Sequence, residues 1–254
     1  MKVIDYKDFE AVSPVFKGEW GHRLAGLVMK IVAIDKVNLV YDRSGIYKGA
    51  EFAKNLLHDL GASYVIGHPE RLSHLPEGAF ITVSNHPYGG LDGIIMVDLM
   101  AAIRPDYKFM VNKILSHVKT MEENFISVTP VGNKKVKITA ETINGIRETL
   151  NRLKEGHPIG FFPSGAVSDF SIKDWYIRDR AWQKSILGLI QSAKVPIMPI
   201  RFFDTNSFLF YFLGLINWRI RLLRMPHELF NKRDHDIRIG IGNLISVEEQ
   251  EQYP

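Results

Sequence analysis

The 254-residue chain has no cysteine. That excludes disulfides, thiolate nucleophiles and Cys-ligated metals, and it is compatible with a reducing compartment. There is little excess charge: 32 Lys and Arg face 28 Asp and Glu, a net charge of +4 with pI near 9.1. So modest a surplus suits an anionic membrane surface or an acidic carrier protein. No element interleaves a basic stripe with aromatics, so nucleic acid is set aside as a partner. Long apolar runs are missing too. No window reaches the roughly 18 uninterrupted apolar residues of a spanning helix, and Met1 to Glu10 is too charged for a secretory leader. Repeats and low-complexity tracts are absent. With 46% apolar and 24% charged residues the composition is globular. The length suits one large α/β domain better than two.

The stretch that organises what remains is Ser84-Asn85-His86-Pro87-Tyr88-Gly89-Gly90-Leu91-Asp92. A β-prone run, Ala79 to Val83, precedes it, and a Met-rich apolar run from Ile94 to Ala102 follows. The pattern predicts strand, tight turn, helix. On one continuous helix His86 and Asp92 would point about 240° apart at roughly 3.6 residues per turn. Pro87 disfavours helix at His86, and Gly89 and Gly90 permit a sharp reversal. The chain can therefore fold the Asp92 carboxylate back onto the His86 ring. Such a carboxylate fixes the tautomer, stabilises imidazolium and leaves the other nitrogen free to take a proton. Against this stands the plainer reading of a structural His and a helix-capping Asp.

Two later blocks decide between them: Phe161-Phe162-Pro163-Ser164-Gly165-Ala166-Val167-Ser168, and Val195-Pro196-Ile197-Met198-Pro199-Ile200. Together with Asn85-His86 and Asp92 they resemble the lysophospholipid acyltransferases of the glycerolipid acyltransferase superfamily, over about Gly67 to Leu244. That family's first block is usually His, four residues, Asp. Here five residues intervene, a spacing that resembles the haemolysin-like and ornithine- or glycine-lipid O-acyltransferase branch. Its third block, usually Phe-Pro-Glu-Gly-Thr-Arg-Ser, is matched by Phe162, Pro163, Gly165 and Ser168. Ser164 stands in place of the Glu and Val167 in place of the Arg. The second block, with its glycine and arginine, is poorly matched by Phe125 to Gly132. In the family those basic residues go with an acceptor phosphate. The resemblance thus implies acyl transfer with a different head group, a lyso-amino-acid lipid rather than lysophosphatidate.

Taken in order, residues 1–22 read as irregular, broken by Pro14, Gly18 and Gly21. A helix is expected from Arg23 to Val40 with a break near Asp35, and another from Lys48 to Leu60 stopped by Gly61. These form an N-terminal helical part, 1–62, ahead of an α/β core, 63–254. Strands are expected at Ser63–Gly67, Tyr107–Val111, Phe125–Val131, Pro158–Phe162, Val195–Phe202 and Ile237–Ile241. Helices are expected at Ile138–Lys154 and Trp182–Ala193. Gly132 to Lys135 reads as a turn whose Lys134, Lys135 and Lys137 form a solvated face. Ser168 to Arg180 reads as a flap carrying Arg178 and Arg180, candidate contacts for an anionic group. Ser207 to Arg224, aromatic and then arginine-rich, suits either a core helix or a membrane interface. His58, His68 and His74 have no metal-ligand spacing.

The expected fold is one α/β domain with a mixed, mostly parallel sheet flanked by helices. Ligands in such folds lie beyond the carboxyl ends of the strands, which brings Phe162 to Gly165 and His86 to one rim. The expected activity is O-acyl transfer from an acyl thioester, on CoA or acyl carrier protein, to a lysolipid hydroxyl. His86 is the general base, and Asp92 orients it. Asn85, Gly89, Gly90, Phe162, Pro163, Ser164, Gly165, Ser168, Arg178 and Arg180 contact substrate, and an amide near Gly165 serves the oxyanion. No metal or resident cofactor is expected. The protein is expected to sit peripherally on the cytoplasmic face of a membrane. The rival is a non-catalytic lipid- or membrane-binding protein of the same fold; a hydrolase using the same His is a further alternative.

Overall fold

A computed structural model of the chain describes residues 2–129 and 139–252. The first helices are α1 (Tyr6–Val12), α2 (Gly18–Ile31), α3 (Ile34–Ser44) and α4 (Gly49–Leu60). The region expected to be irregular is therefore helical. Asp5 caps α1 in a reciprocal box with Asp8, and Pro14 begins a short 3-10 turn rather than ending a helix. Gly21 lies within α2 because the backbone of Phe16 passes where a Cβ would sit. The break falls at Ala33, whose left-handed φ of 60° separates α2 from α3, two residues before Asp35.

The core continues with β1 (Ser63–Gly67), β2 (Ile81–Ser84), α5 (Gly90–Ile103), β3 (Lys108–Asn112), β4 (Phe125–Val128), α6 (Ala140–Lys154) and β5 (Ile159–Phe161). A small hairpin of β6 (Asp169–Ser171) and β7 (Tyr176–Arg178) follows, then α7 (Lys184–Ala193) and β8 (Ile197–Phe202). The chain closes with α8 (Phe208–Ile216), α9 (Trp218–Phe230), β9 (Asp236–Ile241) and α10 (Val247–Glu251). The turn expected at Gly132 to Lys135, with Lys134, Lys135 and Lys137, lies outside the described residues.

Seven strands form one sheet in the order β1-β9-β8-β2-β5-β3-β4. Every neighbouring pair is parallel except β8 and β9. The fold is thus the single α/β domain expected, with a mixed, mostly parallel sheet. Side chains alternate between its two faces. Phe109 and Val111 of β3, Met198 and Ile200 of β8, and Ile237 to Ile241 of β9 pack under α3, α4 and α5. Ile81 and Val83 of β2, with Ile159 and Phe161 of β5, pack under α6 and α7. Helix α5 is apolar on nearly every side, and its Leu91, Ile95, Met96, Val97 and Met100 are all buried. A helix without a polar face must be covered all round, which fixes it in the interior.

Gly160 shows how the sheet shapes the rim. A Cβ there would lie 2.0 Å from the Tyr107 hydroxyl and 2.4 Å from the Phe109 ring. Glycine lets both rings cross β5, and the Tyr107 hydroxyl meets Thr82 Oγ1 at 2.7 Å. Two residues on, alternation sends Phe162 to the same face, where its ring centroid lies 4.5 Å from that of Phe109.

Candidate active site

Strands β2 and β5 are parallel neighbours, with Val83 opposite Phe161. Their carboxyl ends deliver His86 and Phe162 to one place, and the two rings stack at 3.9 Å with 19° between planes. His86 Nδ1 lies 2.9 Å from Asp92 Oδ2. A carboxylate can only accept, so the proton sits on Nδ1 and Nε2 carries the lone pair. Among the described residues no hydrogen bond holds Nε2.

Asp92 is wholly buried. A buried carboxylate is tolerated when its oxygens are satisfied. Oδ2 also accepts the Tyr88 N–H at 3.0 Å and the Gly89 N–H at 3.2 Å, and Oδ1 accepts the Gly93 N–H at 2.9 Å. The turn therefore wraps around the carboxylate, and the first turn of α5 completes it. Gly89 has φ of 87°, a conformation other residues adopt only under strain. Its missing Cβ also admits Met225 of α9 and Val167. The backbone reversal expected between His86 and Asp92 is built on this residue.

The remaining predicted site residues divide by what they touch. Asn85 faces β8: its amide N–H donates to Phe202 O at 2.9 Å, and its Oδ1 accepts the Phe202 N–H at 2.8 Å. It extends the β2–β8 ladder by one rung. Pro163, Ser164 and Ser168 are buried and Gly165 is exposed. Ser164 Oγ–H donates to Ala166 O at 2.9 Å, and Gln183 N–H donates to Pro163 O at 2.9 Å. Gly165 has φ of 63°, and its N–H donates to Phe162 O at 2.9 Å. That amide closes the turn and is not a spare oxyanion donor. Arg178 pairs with Asp174 at 2.8 Å and Arg180 with Asp169 at 2.5 Å, so both guanidinium groups are engaged within the hairpin.

Two residues that the sequence reading did not assign to the site, Asp179 and Arg221, hold it together. Asp179 accepts the His86 backbone N–H at 3.2 Å and the Ser168 hydroxyl, while the Ser168 N–H donates to His86 O at 2.9 Å. Arg221 of α9, itself buried, pairs with Asp169 and donates to Ser168 O at 3.2 Å. The hairpin is thereby tied to both the His86 turn and α9. Beside Asn85 and Asp179 opens a largely apolar cavity of about 580 Å³, walled by Val83, Ile177, Trp182, Ile190 and Ile197 with Arg178 and Arg201 among its polar lining. Ser84 also lines it, and its buried hydroxyl has no hydrogen-bond partner among the described residues. Among the described residues no group of His, Asp and Glu is placed to hold a metal ion. A imidazole braced in this way can accept a proton at Nε2 from a group entering the rim.

A family model described as Acyltransferase matches residues 21–252. The chain belongs to that acyltransferase family. Two similar proteins, from Bacteroides thetaiotaomicron and Phocaeicola vulgatus, are each named lyso-glycine lipid O-acyltransferase. The first is 25% identical over 224 residues, 85% of this chain and 78% of its own length. The second is 25% identical over 223 residues, 85% of this chain and 76% of its own. Among solved structures, the 1-acyl-sn-glycerophosphate acyltransferase PlsC from Thermotoga maritima aligns with 91% of this chain and 90% of its own. The TM-score is 0.46 at 16% identity.

Proposed function

We propose that this acyltransferase moves a fatty acyl group from a thioester to the hydroxyl of a lyso-amino-acid lipid. The observation that carries the reading is the His86 Nδ1–Asp92 contact of 2.9 Å with Nε2 left unbonded at the rim. His86 Nε2 takes the proton of the acceptor hydroxyl as its oxygen attacks the thioester carbonyl carbon. Asp92 stabilises the imidazolium so formed. Collapse of the tetrahedral adduct breaks the C–S bond, and the departing thiolate receives that proton.

The donor is an acyl group on CoA or acyl carrier protein. The apolar cavity beside Asn85 and Asp179 suits its chain. Arg201, which also lines the cavity, suits the phosphates of either carrier. No resident cofactor is required. The acceptor assignment rests on the names of the two relatives and on Val167. That residue is packed against Gly89, where the family usually places an arginine associated with phosphate. A thioester donor and a lipid acceptor support a peripheral position on the cytoplasmic face of a membrane. None of its described helices is long and apolar enough to cross one.

The test is a transfer assay with labelled acyl-CoA and acyl carrier protein across lysolipid head groups. Lyso-glycine lipid and its amino-acid analogues should be acylated well above lysophosphatidate. Preference for lysophosphatidate would contradict the acceptor assignment, and free fatty acid release without an acceptor would contradict transfer itself.

A further inference from the structure

The α8–α9 hairpin has a tip that the other described residues leave bare. Leu215, Ile216, Asn217, Trp218, Arg219 and Ile220 are consecutively exposed, with Ile216 at 61% and Trp218 at 56%. Phe208, Leu209, Phe212, Leu222 and Leu223 extend the same exposure along both helices. So large a run of exposed apolar side chains marks an interaction site.

Charge identifies the occupant. From residue 205 to 227 the chain carries Arg219, Arg221 and Arg224 and no carboxylate. Arg221 and Arg224 point inward to Asp169 and Glu228. Arg219 stays at the tip, its guanidinium 5.3 Å from the Trp218 ring. Aliphatic residues, an amphipathic indole and a cation with no ion pair among the described residues, all in one exposed turn, match a lipid interface bearing negative charge.

The opposite side of the same hairpin touches the candidate active site. Met225 and Leu229 of α9 lie against Gly89 and Gly90. Arg221 crosses α8 where Gly214 has no Cβ and reaches Asp169 and the Ser168 carbonyl. A helix is only about 10–12 Å across with its side chains. A surface seated on the outer face of α9 thus lies one helix diameter from the His86–Asp92 turn.

We infer that the α8–α9 tip inserts into the head-group region of an anionic bilayer and so holds the His86 rim beside the membrane from which the lysolipid arrives. This deepens the proposed function, since a lipid acceptor gives the seat its use. The binding itself is measurable without any turnover.

The experiment is co-sedimentation of the full chain with vesicles of phosphatidylcholine, with and without phosphatidylglycerol. It compares wild type with Ile216→Asp/Ile220→Asp and with Arg219→Gln, and thermal melts check folding. Wild type should bind the anionic vesicles more tightly. The double variant should melt as wild type and lose about tenfold or more in partitioning to both vesicle types, because two apolar insertions are removed. Arg219→Gln should lose only the salt-sensitive gain from phosphatidylglycerol, about fivefold for one cation near the surface. Transfer to an acceptor dispersed in detergent should persist in the double variant. Wild-type binding by a folded double variant would overturn the inference. So would a concentration-dependent dimer, seen by sedimentation velocity, that the double substitution abolishes. If no acceptor is acylated while the binding pattern holds, the proposed activity fails and the membrane seat stands.

Discussion

The Ser84–Asp92 turn and the Phe208–Phe230 hairpin meet along α9, yet they treat their side chains in opposite ways. The turn buries a carboxylate completely and surrounds it with three backbone N–H groups and an imidazole. The hairpin leaves Ile216, Trp218 and Ile220 in the open and buries an arginine instead. Each departs from the ordinary rule that apolar groups go inside and charges stay out. Such departures persist where function requires them and neighbouring contacts offset their cost. Here they lie on two sides of one helix, so the same element braces a polar site and exposes a greasy surface.

The contrast breaks most sharply at Asp92. Asp92→Asn removes the negative charge that stabilises the imidazolium. Its single oxygen can keep the Oδ2 position, with the His86, Tyr88 and Gly89 contacts, and the amide nitrogen then faces only the Gly93 N–H. Transfer should fall by about 10³- to 10⁴-fold with a smaller loss of stability. Asp92→Ala should lose similar activity and also about 2–3 kcal/mol of unfolding free energy, because buried N–H groups lose their acceptor. Steady-state kinetics and denaturant unfolding on both variants separate the two effects.

A second, smaller effect is expected at Gly89. Gly89→Ala should cost about 1–3 kcal/mol because φ of 87° is strained for any Cβ-bearing residue. Trimming Met225 to alanine in the same chain should not restore it. The thioether is flexible and the backbone is not. Recovery of the melting temperature in that double variant would show that α9, not the turn geometry, sets the requirement for glycine.

The smallest effect belongs to pH. Hydrogen bonds from Arg238 hold the Asp204 carboxyl below its usual range. A carboxyl whose folded pKa is lowered stabilises fully above the unfolded carboxyl range and loses that contribution as pH falls through its own pKa. Arg238→Gln should therefore leave stability near neutrality slightly lower and flatten the acid side of the stability profile. Arg238 is exposed and Asp204 partly so, so salt should weaken the difference.

How much of this was legible in the sequence follows from the range of the interactions. The strand, Pro87, the glycines and Asp92 lie within a few residues of one another, and local chemistry sufficed to predict the fold-back onto His86. The central strands β2, β3 and β5 were visible because buried parallel strands read as short apolar runs. Asp179 was not: it meets the His86 amide across 93 residues of sequence, and within Ser168 to Arg180 it reads as one charge among several. Arg221 was hidden for the same reason, its partner lying 52 residues away. Within residues 1–22, α1 and the start of α2 escape the sequence pattern because Pro14, Gly18 and Gly21 read as breakers. The first two occupy helix starts and the third a close backbone crossing. For the hairpin, composition gave the aromatic content but not which side of each helix the domain covers.

The most direct test of the proposed chemistry is the rate of acyl transfer by His86→Ala, measured beside its melting temperature and its partitioning to anionic vesicles. General-base action by His86 requires a fall of about 10²- to 10⁴-fold in kcat, with the fold and vesicle binding unchanged. A folded, membrane-bound His86→Ala protein that transfers acyl groups at the wild-type rate would contradict it.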